Sequence, residues 1–156
     1  MTAKQMAQAE LVALQQIVDG VKDADTEALE KEIAQAKRIF VGGAGRSLLS
    51  MKGFAMRLMQ TGHETYLVGE VCTPSVQPGD LLIVGSGSGE TKVTLDVVNK
   101  AKGHGARVAV LTMHGNSPIA QACDCAVVLA GIPAVSPEDT EASIFAKKNL
   151  GGNFFE

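Results

Sequence analysis

The stretch Leu81-Leu82-Ile83-Val84-Gly85-Ser86-Gly87-Ser88-Gly89-Glu90-Thr91 changes character halfway along. Residues 81–84 are apolar at every position, the pattern of a parallel strand covered on both faces. Glycines and hydroxyl residues then alternate. From about Glu90 the apolar residues Val93, Val97, Val98 and Ala101 recur at helical spacing. The segment therefore predicts a buried strand, a glycine-rich turn and a helix.

The same unit repeats on either side. Arg38-Ile39-Phe40-Val41 predicts a short strand that ends in Gly42-Gly43-Ala44-Gly45, followed by a helix with Leu48, Met51, Ala55, Leu58 and Met59 on one face. Residues 65–68, 107–111 and 125–129 predict three more strands. Gln77-Pro78-Gly79-Asp80 reads as a turn, and Ser117-Pro118 as a helix start with a capping hydroxyl before a proline. Five buried strands alternating with helices predict an α/β fold: a doubly wound, five-stranded parallel sheet with helices on both faces, flavodoxin-like in organisation. Ahead of it, residues 3–20 predict an amphipathic helix with a stripe of Ala7, Leu11, Leu14 and Val18, widened by Met6, Ala13 and Ile17. A second helix, capped by Asp25 or Thr26, carries Leu29, Ile33 and Ala36. Neither helix can bury its stripe alone, so each must pack on the later part of the chain or on another subunit. The expected organisation is one domain over 1–156. It comprises a helical extension (1–36), an α/β core (37–130) and a C-terminal tail (131–156) without a long last helix.

Composition narrows the function. With 156 residues, 46% hydrophobic and 20% charged, the chain has the balance of a folded globular protein. A net charge of −3 argues against a broad nucleic-acid surface but permits a local anion pocket. Cys72, Cys123 and Cys125 lack metal-ligand spacing and read as reduced thiols. The polar-interrupted N-terminus is not that of a secretory signal, and no apolar run is long enough to span a bilayer, so the expected location is cytoplasmic, without membrane contact.

Two turns, residues 41–47 (VGGAGRS) and 84–91 (VGSGSGET), place amide N–H groups and hydroxyls where a helix begins. A helix start carries about half a positive charge and several unpaired donors, a combination that binds phosphate. Ser86, Ser88 and Thr91 add hydroxyls, and Ser47 a fourth. The plainer reading is that these hydroxyls only cap helices; for 41–47 alone the two readings balance. Other phosphate motifs fail in specific ways. A dinucleotide fingerprint needs G-x-G-x-x-G, but the last position falls on Leu48 in one turn and on Glu90 in the other. Glu70, after the second strand, is the acid such a site would use. A P-loop needs Gly-Lys-Ser or Gly-Lys-Thr, which Gly89-Glu90-Thr91-Lys92 lacks.

SGSGET after an apolar strand, with GAGRS after an earlier one, resembles the sugar isomerase (SIS) domain family. The resemblance extends through VGGAGRSLLSMKGFAMRLMQTG, YLVGE, TPSVQPGDLLIVGSGSGET and VLTMHGNSPIAQACD, over roughly residues 5–145. It implies interconversion of 3-hexulose 6-phosphate and fructose 6-phosphate, in formaldehyde assimilation or pentose synthesis, without metal or organic cofactor. It also implies a homotetramer whose active sites draw residues from neighbouring subunits. It places Ser86, Gly87, Ser88, Gly89, Glu90 and Thr91 on the phosphate loop, and Ser47, with Arg46 beside it, against the substrate.

Moving a carbonyl from C3 to C2 through an enediol needs a general base near those carbons. The resemblance places a glutamate in a Leu-Phe-Glu stretch there. Here Gly152-Asn153-Phe154-Phe155-Glu156 puts Glu156 at that position with altered spacing. The alternative is that residues 144–156 form a changed tail and Glu156 does nothing. Some relatives carry a histidine at the position of Gln60, so His63 is the second catalytic candidate. His114 and Glu70 lie on the carboxyl edge where ligands bind, whereas His104 lies at a helix exit. For all four the structural reading is the more economical. Three functions stay open: a cofactor-independent phosphosugar isomerase, a sugar-phosphate-binding module with little turnover, and a nucleotide-binding domain using Glu70.

Overall fold

The structure, a computed structural model, describes residues 2–129, 138 and 140–147. Its centre is a parallel sheet of β1 (Ile39–Gly43), β2 (Thr65–Leu67), β3 (Leu81–Gly85), β4 (Arg107–Thr112) and β5 (Cys125–Val128), in the order β2-β1-β3-β4-β5. β3 is the middle strand and buried along its whole length, which explains why it has no polar position. β1 and β3 run in register from Ile39 opposite Leu81 to Gly43 opposite Gly85. Their two carboxyl ends are therefore level.

The pleat divides the strand residues between two cores. Ile39, Val41, Leu81, Ile83 and Ala109 face α2 (Asp23–Gln35) and α3 (Gly45–Gln60) through Leu29, Met51, Ala55 and Leu58. Phe40, Leu82, Val84, Val108 and Val110 face α4 (Lys92–Gly103) and α5 (Pro118–Ala122) through Val98, Ala101, Ile119 and Ala120. The doubly wound expectation holds. Burying a residue such as Leu82 or Ile83 contributes about 1.5–3 kcal/mol, and this double layer sets the strand ends in fixed relation. The connection from β2 to β3, residues 68–80, carries no helix and crosses β1 as a loop.

At the amino edge, Arg38 forks onto Asp80 at 3.0 and 2.5 Å, and the same carboxylate accepts from the Gln77 amide. Arg107 pairs with Glu32 and Asp124. Ion pairs line this edge, around a cavity of ≈ 220 Å³ whose lining includes Glu32, Asp80 and Arg107.

Several boundaries differ from expectation. α2 begins at Asp23 behind Lys22, not behind Asp25 or Thr26. Asp23 and Asp25 sit inside its first turn, where carboxylates complement the helix dipole, and the Thr26 hydroxyl donates back to the Asp23 carbonyl. α4 begins at Lys92 rather than Glu90, because the Glu90 amide is taken by the Ser88 hydroxyl. The tail contains a short helix, α6 (Glu141–Lys147), which packs against α1 (Ala3–Asp19). On α1, Ala13 is buried while Leu11, Leu14 and Val18 stay exposed within this chain. With Ala7 also exposed, the whole four-residue stripe is thus left for another surface.

Candidate functional site

β1 and β3 are neighbours, but the helices that follow them lie on opposite faces of the sheet. This is a topological switch point, where ligands bind in open α/β sheets. A cleft of ≈ 330 Å³ opens there, lined by Ala44, Gly45, Arg46, Ser47, Gly85, Ser86, Gly87 and Thr91. Both glycine-rich turns found in the sequence contribute to it.

The two helices reach the cleft with bare ends. α3 starts behind Ala44 and α4 behind Thr91, neither with a side-chain cap and neither with an acidic residue in its first turn. Elsewhere these ends are satisfied. Thr2 caps α1, Ser117 caps α5, and α2 carries two aspartates. The positive ends of α3 and α4 are thus the ones left unneutralised. α3 even places a cation, Arg46, in its first turn, where the dipole disfavours it. An anion between the two ends relieves both.

Gly85 makes this approach possible: a Cβ there would stand 2.7 Å from Met51 Cγ on α3. Within the loop, the Gly89 amide donates to Ser86 Oγ (3.2 Å) and the Glu90 amide to Ser88 Oγ (3.3 Å). Each hydroxyl accepts from the loop and keeps its own hydrogen to donate. The amides of Gly87 and Ser88, and the hydroxyls of Ser47 and Thr91, have no hydrogen-bond partner among the described residues. Bonds to a charged acceptor are worth roughly 1.5–3 kcal/mol each, so a few such donors would suffice to hold an anion.

The structure brings Arg46, Ser47, Ser86, Gly87 and Thr91 together around the cleft. Ser88 and Glu90 are exposed at the loop's outer bend, and Gly89 is buried beneath it. His63 is not brought to the cleft by its own chain. It lies between the end of α3 and the start of β2, on the amino edge of the sheet, where its amide donates to Leu58. Glu156 lies outside the described residues. Glu70 pairs with Lys52 at 3.2 Å, His114 is exposed on the β4–α5 loop, and His104 caps the far end of α4. Sequence reasoning missed two residues below the loop. Thr112 Oγ1 donates to the Gly87 carbonyl, and Ser117 packs against Gly89. They act across 25 and 28 positions, and no local pattern signals these contacts.

A second cavity, ≈ 270 Å³, lies under the β2–β3 loop among Phe40, Val68, Val76, Leu82 and Val97. It is mostly apolar and lacks the amide donors that an anion needs. Burial, with Asp124 beside it, pushes the Cys123 thiol up to about 12, so it is no nucleophile. No group of three or more metal-ligating side chains gathers among the described residues, and none of their helices is long and apolar enough to cross a membrane.

The family model described as SIS domain matches residues 32–146. The chain is 42% identical over 118 residues to the 3-hexulose-6-phosphate isomerase of Methylomonas aminofaciens, covering 76% of this chain and 65% of that protein. It is 38% identical to the 3-hexulose-6-phosphate isomerase of Bacillus subtilis strain 168, covering 87% and 71%. The match thus spans about two thirds of these relatives. A solved structure from Methanococcus jannaschii, for which a 3-hexulose-6-phosphate isomerase function was inferred, superposes with TM-score 0.69 at 31% identity, covering 94% of this chain and 81% of that one.

Proposed function

Since the chain belongs to the SIS domain family, we propose that it is a phosphosugar isomerase of the 6-phospho-3-hexuloisomerase kind, interconverting 3-hexulose 6-phosphate and fructose 6-phosphate. The observation that carries this reading is the pair of helix starts, without a side-chain cap or a first-turn acid, converging on one cleft. Ser47, Arg46 and residues 86–91 hold the phosphate. The sugar carbons then extend away from the loop, with the register fixed by a group remote from the reacting atoms. A base removes the C2 proton, the 2,3-enediol forms, and protonation at C3 completes the transfer of the carbonyl. Glu156 is the proposed base. His63 can serve only the cleft of a second copy. A homotetramer accommodates this, and the exposed apolar residues of α1 and of α3 (Leu49, Met56, Met59) support such assembly. The free thiols Cys72, Cys123 and Cys125 suit a cytoplasmic setting.

One observation favours a second reading, a sugar-phosphate-binding module without turnover: among the described residues the cleft lining holds no carboxylate and no imidazole. The deciding experiment supplies 3-hexulose 6-phosphate and follows fructose 6-phosphate. Turnover that Glu156→Gln or His63→Gln abolishes supports the enzyme. Binding of fructose 6-phosphate without turnover supports the module. A sedimentation run at micromolar concentration that finds only monomer contradicts the assembly.

A further inference from the structure

We infer that Thr112 is a positioning residue for the phosphate loop, fixing the Gly87–Ser88 peptide so that the Ser88 amide faces the cleft; this rests on the phosphate reading above. The Gly87 carbonyl accepts from Thr112 Oγ1 at 3.3 Å and from the Met113 amide at 3.1 Å. Both donors stand at the end of β4. β3 lies between β1 and β4 in the sheet, so this carbonyl points away from β1. A peptide unit is planar and trans, and the N–H of Ser88 therefore points the opposite way, toward β1 and the cleft.

Thr112 is suited to this work. It is 1% exposed, and its Oγ1 also accepts from the His114 amide at 3.2 Å, which orients the hydroxyl hydrogen onto Gly87. The other bend of the loop is pinned similarly, where the Gly89 carbonyl accepts from the Ile119 amide at the start of α5. Of the loop amides from 86 to 90, those of Ser86, Gly89 and Glu90 are spent on protein acceptors, leaving Gly87 and Ser88 for a ligand. Without the Thr112 hydroxyl, one amide bond alone resists rotation of the 87–88 peptide.

The test uses titration calorimetry with inorganic phosphate and with fructose 6-phosphate on the full chain, wild type, Thr112→Val and Thr112→Ser. Thr112→Val is expected to weaken both ligands about tenfold, the loss of roughly one charge-assisted hydrogen bond. Thr112→Ser, which keeps the hydroxyl, is expected to restore binding to within about twofold. Where turnover is measured, KM rises with kcat nearly unchanged, the signature of a handle used equally in ground and transition states. A second measurement needs no variant. On adding phosphate to the wild type, the Ser88 amide resonance is expected to move downfield more than those of Gly89 and Glu90. Wild-type binding that Thr112→Val leaves intact, a serine variant as defective as the valine variant, or a Ser88 amide indifferent to phosphate each overturns this inference alone. A wild type that binds neither ligand overturns the cleft reading and this inference with it.

Discussion

A methyl group on Gly89 would stand 1.9 Å from Ser117 Oγ and 2.3 Å from its Cβ. Gly89 also has φ +67°, a conformation that side chains rarely adopt. The bend of the 86–91 loop is therefore fitted to the cap of α5. Gly89→Ala is expected to cost about 2 kcal/mol or more, from strain and overpacking together, and to weaken phosphate binding. Gly89→Ala with Ser117→Gly is expected to recover part of the stability. Denaturant unfolding of the two variants checks this.

Thr91 occupies the N-cap of α4 without bonding to the helix. Removing a working cap costs about 1 kcal/mol, but here no capping bond is lost. Thr91→Ala is expected to leave the thermal midpoint nearly unchanged and to weaken fructose 6-phosphate binding about tenfold. Calorimetry and a melting curve on the same sample separate the two effects.

Ala44 stands at the N-cap of α3, facing the cleft. Ala44→Asp supplies the missing cap and an anion of the protein's own. Stability is expected to rise by about 1 kcal/mol, while phosphate affinity collapses because the carboxylate occupies and repels the anion's place. A variant that gains stability and keeps its affinity contradicts the electrostatic account.

Asp124 ties α4 to β4, accepting from the Val108 amide at 2.9 Å and pairing with Lys102 and Arg107. Burial by itself would raise its carboxyl, but these partners outweigh burial and hold it below its ordinary 3.8. The folded state therefore favours the ionised form. Its contribution is complete above that ordinary value and is lost as pH falls through the lower folded-state value. Asp124→Asn is expected to be less stable than wild type at pH 6, with the gap closing on acidification below pH ~3. Urea unfolding at both pH values measures it.

Much of this architecture was legible in the sequence because its signals are local. Leu81–Val84 has no polar residue because β3 is the central strand. Ser117-Pro118 announces α5 with its own cap. The cleft was legible as two glycine-rich turns, since the parallel sheet must bring strand ends to one edge. What escaped depends on distance along the chain. Nothing near Thr112 or Ser117 reveals that they brace a loop some 25 residues earlier. The α1 stripe announces that it will be covered without saying by what, and Leu11 and Val18 remain exposed in one chain. His63 follows the helix that contributes Ser47, but a sixteen-residue helix carries it to the opposite edge of the sheet.

The most direct measurement is a crystal structure with fructose 6-phosphate bound. The phosphate is expected between the starts of α3 and α4, about 3 Å from the Gly87 and Ser88 amides and from the hydroxyls of Ser47, Ser86 and Thr91. A phosphate bound elsewhere, with those donors left facing water, contradicts the account.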